Sequence, residues 1–310
     1  MRGDAQLYEK YKAVVDGYLT SGYARRMSPA EARISTPKSW YLPHHPVLNR
    51  NKPGKVRVVF DAAAEINKVS LNKTLITGPD LLNSLCGVLI RYRTGRIAIA
   101  ADIEAYYHQV RVPYEDADSL RFFWTDDIQS DDAIFSAQML VHIFGAKDSA
   151  NCAIYALQRT ARDNQADFDA LTFETMLRSF YMDDCLKSVD DVDTMIRLVS
   201  QLVEICKRGG FRLAKFLSNS KAVLESLPAS ELSPTAILNL DGEGVERALG
   251  ILWDTLRDLI IFSANLKEAP STKRGIARTT SSIFDPLGFL IPFVLVAKLI
   301  LQMLWRSGCN

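Results

Sequence analysis

The sequence lacks the short motifs of several common enzyme classes. Its histidines form no H-E-x-x-H zinc-hydrolase pair, and it has no G-x-x-x-x-G-K-[ST] phosphate-binding loop. No Asp-Thr-Gly or Asp-Ser-Gly occurs, so an aspartic protease dyad has no candidate. The five cysteines are odd in number and form no C-x-x-C pair, which predicts neither a zinc site nor a disulfide framework. This cysteine usage favours a reducing, intracellular setting.

The chain also lacks a strong charge of either sign. Lys+Arg 37 against Asp+Glu 36 gives a formal net charge of +1, so any nucleic-acid surface has to be local. Residues 1–12 contain no apolar signal core. The apolar stretch 287–305 is interrupted by Pro292, and Lys298, Gln302 and Arg306 recur every four residues. This spacing predicts an amphipathic helix with a wide apolar face rather than a membrane span.

What is present is an ordinary globular composition, 48% hydrophobic and 24% charged over 310 residues, with room for two or three subdomains. Residues 1–35 are predicted to be helical. From residue 96 to 216 the predicted order is strand, long excursion, helix, β-hairpin, helix, strand. That order is the split βαβ pattern and predicts an α+β fold.

Tyr181-Met182-Asp183-Asp184 places two adjacent carboxylates between apolar runs. Neighbouring ionised carboxylates repel each other, so a fold that holds them side by side often provides a cation. Mg²⁺ is bound by one or two carboxylates together with substrate phosphates. A solvated β-turn is the alternative, because Asp is a common turn residue. Taken alone, the tetrapeptide leaves both readings open.

Asp102 follows the apolar strand 96–101, and a core strand seldom carries an aspartate unless that residue is paired or binds metal. The split βαβ order puts Asp102 and the Asp183–Asp184 pair on neighbouring central strands. Three carboxylates arranged in this way suit two-metal phosphoryl transfer, which depends mainly on positioning and charge neutralisation.

The segment from 49 to 61 carries four basic residues around a Pro53–Gly54 turn, with a valine-rich strand after it. Pro-Gly marks a turn, so the segment is predicted to be a hairpin. It is either an edge hairpin kept soluble by charge or a phosphate clamp.

Segments distributed along residues 40–305, in family order, resemble the motifs of reverse transcriptases from LTR retrotransposons of the Pao/BEL type. They are Asp102–Val110 (first catalytic aspartate), Phe144–Lys147 (template contact), Tyr181–Asp184 (signature tetrapeptide), Lys215 (later lysine), Leu249–Trp253 (primer-grip hairpin) and Ile283–Gly288. No segment resembles a protease, ribonuclease H or integrase, and the resemblance implies that such domains lie elsewhere in a polyprotein.

The resemblance implies a right-hand polymerase with fingers, a ferredoxin-like palm and a partial thumb or connection. The implied boundaries are a helical extension over 1–38, fingers with the first palm strand over 39–101, palm with part of the fingers over 102–225, and primer-grip hairpin with the start of the thumb over 226–310. The implied activity is RNA-directed DNA synthesis from dNTPs on a primed RNA or DNA template. The implied setting is the cytoplasm, a virus-like particle or the nucleus, without a membrane.

The resemblance also implies roles for single residues. Asp102, Asp183 and Asp184 would hold two Mg²⁺ ions, or Mn²⁺, with the Ile103 carbonyl as an additional ligand. At the triphosphate the implied nucleotide-binding residues are Arg57 and either Lys52 or Lys55. Tyr107 would lie at the sugar 2′ position, unless it is a core tyrosine. Phe144 is a further implied nucleotide-binding residue and stands where some relatives have Gln. The implied template and primer residues are Gly145, Lys147, Tyr181, Met182, Leu249, Gly250 and Trp253.

Two alternatives stay open at this stage. Lys215 is either a general acid for the pyrophosphate or a surface lysine. The whole chain is either an active polymerase domain or a truncated, inactive element remnant that at most binds nucleic acid.

Overall fold

The computed structural model of this protein describes residues 4–48, 54–128, 133–234, 236, 245–248, 251–261 and 269–308. Its α-helices are α1 (Ala5–Thr20), α2 (Pro29–Arg33), α3 (Leu71–Thr74), α4 (Leu85–Tyr92), α5 (Ser149–Asp163), α6 (Ala170–Arg178), α7 (Val192–Arg208), α8 (Lys221–Glu225), α9 (Lys273–Ser281) and α10 (Ile291–Arg306). Its strands are β1 (Ala24–Arg26), β2 (His44–Leu48), β3 (Val56–Phe60), β4 (Ile97–Ile103), β5 (Arg121–Thr125), β6 (Ile134–Met139), β7 (Phe180–Tyr181), β8 (Asp184–Val189), β9 (Leu213–Ser218), β10 (Val245–Ala248), β11 (Ile251–Asp254) and β12 (Leu259–Ile261).

The chain divides into two compact units. The first comprises Met1–Leu81, Ala105–Arg159 and Gly209–Phe211. The second comprises Leu82–Glu104, Thr160–Arg208 and Arg212–Asn310.

The first unit contains an antiparallel sheet of order β1-β6-β5 and the antiparallel hairpin β2–β3. Its aromatic core includes Tyr8, Tyr11, Phe60, Phe122 and Trp124. Residues 1–35 are therefore not purely helical as predicted. Residues 24–26 form a strand that pairs with residues 137–139, and α1 contributes buried tyrosines to the core.

The second unit contains a four-stranded antiparallel sheet of order β7-β8-β4-β9. Small side chains dominate β4, where Ala98, Ala100 and Ala101 are all buried. Helix α7 packs on this sheet through apolar residues spaced three and four apart, namely Met195, Leu198, Val199, Leu202, Ile205 and Cys206. Since β4 and β8 are neighbours, the predicted adjacency of the strands that carry Asp102 and Asp184 is present.

The C-terminal part of the second unit contains the antiparallel sheet β10-β11-β12 and helices α9 and α10. Helix α10 exposes many large apolar side chains: Ile291, Phe293, Leu295, Val296, Leu299, Ile300, Met303 and Trp305. The predicted amphipathic helix is therefore present, with its wide apolar face uncovered. Among the described residues, no helix combines the length and the apolarity that a membrane crossing requires.

Candidate functional site

A two-residue turn joins β7 to β8 at one end of the four-stranded sheet. Tyr181 pairs with Asp184 across the turn, and Met182 and Asp183 form its tip. On the other side of β8, Asp184 lies directly opposite Asp102 near the end of β4. The Ile103 N–H donates a hydrogen bond of 2.8 Å to the Asp183 carbonyl, which fixes the turn against β4. The sheet register thus gathers all three predicted aspartates at this one end.

Met182 adopts a positive φ of 56°, a backbone region that side chains other than glycine seldom occupy. Of the two central residues, Met182 alone has a positive φ, which is the pattern of a type II′ turn. Glycine is the usual residue at this position of a hairpin turn. A methionine there indicates backbone strain of about 1–3 kcal/mol at the tip that carries Asp183.

The electrostatics of the three aspartates oppose full ionisation. Burial of Asp184, followed by the negative charges of Asp183 and Asp102, raises the pKa of Asp184 to about 7. The ammonium group of Lys215 acts in the opposite direction and lowers the pKa of Asp184. The cluster therefore concentrates negative charge that one lysine offsets only in part.

Lys215 reaches this cluster through an irregularity in β9. Ala100 pairs with Leu217 and Asp102 with Ala214, so Lys215 and Phe216 both stand opposite Ala101. Lys215 has a positive φ of 57° at this bulge. A bulge re-aims the side chain that it displaces. The Lys215 Nζ lies 3.0 Å from Asp102 Oδ1.

The aspartate cluster suits a hard divalent cation in its chemistry. It offers carboxylate oxygens as ligands, and its excess negative charge is the kind that a bound cation offsets. Lys215 supplies a positive charge to Asp102 in this structure. Among the described residues, the set of three whose ligand atoms all lie within 4.8 Å of one another is His142, Asp148 and Cys152.

Tyr107 and Phe144, two residues predicted to bind the nucleotide, contact each other in the first unit. Their ring centroids lie 4.8 Å apart with an interplanar angle of 56°. The half-buried Tyr107 belongs to a 3₁₀ turn over Tyr106–Gln109 that begins after Ala105, whose φ is 51°. His108 contacts Phe144 edge-on from the same turn, and burial lowers the pKa of His108 to about 4. The rings of Tyr107, Phe144 and His108 thus form one aromatic cluster.

The turn after Phe144 depends on Gly145. Gly145 has a φ of 120°, and a Cβ atom there would lie 1.9 Å from the Phe60 carbonyl oxygen. Asn72 spans the turn, because its side-chain amide donates to the Gly145 carbonyl at 3.0 Å and its Oδ1 accepts from the Lys147 N–H at 2.9 Å. Asn72 was not predicted, because it lies more than seventy residues from the turn that it supports and carries no local signal.

The other predicted contact residues differ in exposure. Lys55, Arg57 and Lys147 are exposed in the first unit, and Arg57 lies opposite Val47 in the β2–β3 hairpin. The sequence expectations for Lys52, Leu249 and Gly250 fall outside the described residues.

Trp253 is a correction to the predicted template and primer residues. Its side chain is fully buried, with its ring 5.3 Å from that of Tyr92 and its Nε1 donating to Asp258 Oδ1 at 3.0 Å. A ring enclosed in this way stabilises the core of the second unit and does not contact a ligand directly.

Comparison with known proteins gives one family match. Residues 272–310 match the model of a family described as "Pao retrotransposon-like RNaseH-like domain". The matched residues include α9 and α10. The expectation that no segment resembles ribonuclease H is therefore wrong for this part of the chain. No curated protein sequence matches the chain.

Solved structures of foamy viral protease-reverse transcriptase share the fold. The form in complex with double-stranded DNA that is designated dRH has a TM-score of 0.59 and 14% identity, and the match covers 90% of this chain and 40% of that one. The form in complex with an RNA/DNA hybrid has a TM-score of 0.58 and 12% identity, covering 90% of this chain and 31% of that one. This chain therefore spans well under half the length of both. The chain has a mixed α/β fold resembling the chains of these structures, and part of its sequence is similar to a Pao retrotransposon family.

Proposed function

We propose that this chain is an RNA-directed DNA polymerase domain of a retroelement that adds dNTPs to a primer 3′-hydroxyl. The observation that carries the proposal is the end of the four-stranded sheet. There Asp184 lies opposite Asp102, Asp183 lies at the adjoining strained turn, and the pKa of Asp184 is raised to about 7. In this assignment the four-stranded sheet belongs to the palm.

Each group of residues would have its own role in the reaction. Asp102, Asp183 and Asp184 would hold two Mg²⁺ ions, with the Ile103 carbonyl as a further ligand. Two ions bound there would activate the 3′-hydroxyl and stabilise the leaving pyrophosphate. Lys215, whose Nζ lies 3.0 Å from Asp102 Oδ1, would supply a positive charge to a phosphate oxygen beside that carboxylate. Arg57 and Lys55 would bind the triphosphate, and Lys147 the template.

The RNaseH-like family match does not by itself favour a nuclease in residues 272–310. Two-metal nuclease chemistry requires several carboxylate ligands, and Asp285 is the one carboxylate among these residues. The exposed apolar face of α10 instead suits a packing role.

Primer extension on an RNA template tests the proposal. Wild type is expected to extend the primer with Mg²⁺ or Mn²⁺, and Asp183→Asn is expected to abolish extension because a ligand charge is removed. Asp190→Asn is the matched control, since this exposed aspartate follows the other end of β8. If wild type binds primer–template but extends it with neither ion, the chain is an inactive remnant that binds nucleic acid.

A further inference from the structure

A second set of metal-binding side chains lies in the first unit, apart from the three aspartates. A ring nitrogen of His142, a carboxylate oxygen of Asp148 and the Cys152 sulfur all lie within 4.8 Å of one another. Together they offer one nitrogen, one oxygen and one sulfur ligand.

The backbone around these side chains is fixed by hydrogen bonds. The His142 N–H donates to the Val110 carbonyl at 2.9 Å, and the Cys152 N–H donates to the Asp148 carbonyl at 2.9 Å in the first turn of α5. The buried Ser149 Oγ donates to the Ile143 carbonyl at 2.8 Å, which ties the start of α5 to the segment that carries His142. The backbone segments that carry the three ligands are therefore tied to each other.

One buried oxygen atom of the set has no hydrogen-bond partner. This atom is Asp148 Oδ1, and leaving a buried polar atom unsatisfied is unfavourable.

An adjoining cavity gives the set an opening. The cavity has a volume of about 410 Å³, and its lining includes His142, Asp148 and Cys152 together with Asp116 and Leu75. A zinc ion held by three protein ligands keeps its fourth position for water or another small ligand. The cavity supplies space for that ligand.

We propose that His142, Asp148 and Cys152 form a binding site for a divalent transition metal, with Zn²⁺ as the best-suited ion. A thiolate and an imidazole select Zn²⁺ over Mg²⁺, which takes oxygen ligands. An ion there would cross-link the segment before the Phe144–Lys147 turn to the start of α5, and would hold that turn in place. The site does not depend on the proposed polymerase activity, because it shares no residue with the aspartate cluster.

The amino-acid sequence alone carries no sign of this site. The spacing H-x₅-D-x₃-C has a single cysteine and a single histidine, whereas recognised zinc motifs repeat Cys or His in close pairs. The site arises because Asp148 and Cys152 lie one helical turn apart and the segment before Gly145, which carries His142, passes beside them.

Cobalt substitution in the 310-residue chain tests the proposal. Excess Mg²⁺ is added first to occupy oxygen-only sites, and Co²⁺ is then titrated while thiolate-to-cobalt charge-transfer absorption is recorded. Wild type is expected to show this band at one equivalent of Co²⁺ and to lose it when Zn²⁺ is added. Cys152→Ser is expected to abolish the band. His142→Ala and Asp148→Asn are each expected to weaken Zn²⁺ binding by at least about tenfold, as competition with Co²⁺ measures.

Three controls make the result specific. Cys86→Ser removes an exposed cysteine in α4 and is expected to keep the band. Asp116→Asn changes another carboxylate that lines the cavity and is expected to bind Zn²⁺ as wild type does. Asp183→Asn is expected to keep the band as well, so that failure of the polymerase proposal leaves this test unaffected.

Absence of the band in wild type, or its persistence in Cys152→Ser, would overturn the proposal. Circular dichroism and thermal melting in chelator establish that each variant is folded. If Cys152→Ser does not fold, the nearly isosteric Asp148→Asn decides the question, and unchanged Zn²⁺ affinity in that folded variant would exclude the site.

Discussion

Asp184 is a residue whose acidity follows from its surroundings in the fold. Burial and the charges of Asp183 and Asp102 raise its pKa from the ordinary 3.8 to about 7. Between these two values the folded chain holds a proton that the unfolded chain has released. The free energy of unfolding without metal should therefore fall as pH rises from about 4 to about 7, by an amount on the order of 4 kcal/mol.

Thermal melting in chelator across this pH range measures the effect of Asp184. Asp184→Asn should remove most of the slope that the residue contributes, whereas Asp190→Asn should leave it unchanged. Mg²⁺ should stabilise wild type most above pH 7, where the ionised carboxylates repel each other and bind a cation best. A slope that is the same in wild type and Asp184→Asn would contradict the assigned acidity.

The ring of Tyr107 lies against that of Phe144. In the proposed polymerase the Tyr107 ring would exclude a ribose 2′-hydroxyl sterically, so Tyr107→Ala should admit ribonucleotides and reduce dNTP-over-rNTP discrimination by at least about tenfold, or ~1.4 kcal/mol. Tyr107→Phe keeps the ring and is the matched control, with discrimination near that of wild type. Single-nucleotide extension with paired dNTP and rNTP titrations provides the measurement. Unchanged discrimination in Tyr107→Ala would leave the ring with a packing role alone.

At the residue scale the sequence predicts the proximity of the three aspartates, but it does not predict the residues that support the neighbouring turns. The proximity of Asp102, Asp183 and Asp184 was predictable because an apolar strand that ends in aspartate, and an Asp pair at a hairpin, are local signals. The roles of Asn72 and of the His142–Asp148–Cys152 set were not predictable. In each case the fold brings together residues whose spacing in the sequence gives no signal. The family resemblance implied that Trp253 contacts template or primer, whereas its ring is buried against Tyr92.

At the scale of elements, local periodicity predicts helices well. The helices predicted before and after the β-hairpin are present as α5 and α7. Strand β1 was not predicted, because its three residues are too few to show an alternating pattern and its partner β6 lies more than a hundred residues later. The bulge in β9 was not predicted either, because a positive φ at a lysine has no sequence signature. That bulge is nevertheless what brings Lys215 to Asp102.

The β7–β8 hairpin gives an element-scale prediction, because its turn contains a strained methionine. Met182→Gly should relieve the positive-φ strain and raise the free energy of unfolding by about 1 kcal/mol, since the strain exceeds the conformational entropy that glycine loses on folding. Met182→Val should lower the free energy of unfolding, because a β-branched side chain tolerates this region least. Urea unfolding of the three proteins measures both effects. A stability order with Val above Gly would show that the turn is not strained in this way.

At the scale of the whole molecule, a formal net charge of +1 leaves nucleic-acid binding to local groups of basic residues. Lys55, Arg57 and Lys147 are exposed in the first unit, and α10 supplies an apolar rather than a charged surface. The likeness to foamy viral protease-reverse transcriptase structures, at 14% identity, concerns the fold and not these surface residues.

The salt dependence of primer–template binding tests whether basic residues such as Arg57 and Lys147 contact phosphates. Each phosphate contact made by a basic residue releases counterions, so the logarithm of the affinity should fall linearly with the logarithm of the salt concentration. Arg57→Gln and Lys147→Gln should each make this slope shallower by about 1, because each removes one contact. Lys298→Gln is the matched control, since this exposed lysine lies in α10, outside the predicted template and nucleotide residues. Fluorescence anisotropy of a labelled duplex between low and physiological salt gives the slopes. A flat response in wild type would contradict any nucleic-acid role, whereas a steep response that none of the variants alters would move the contact surface away from Arg57 and Lys147.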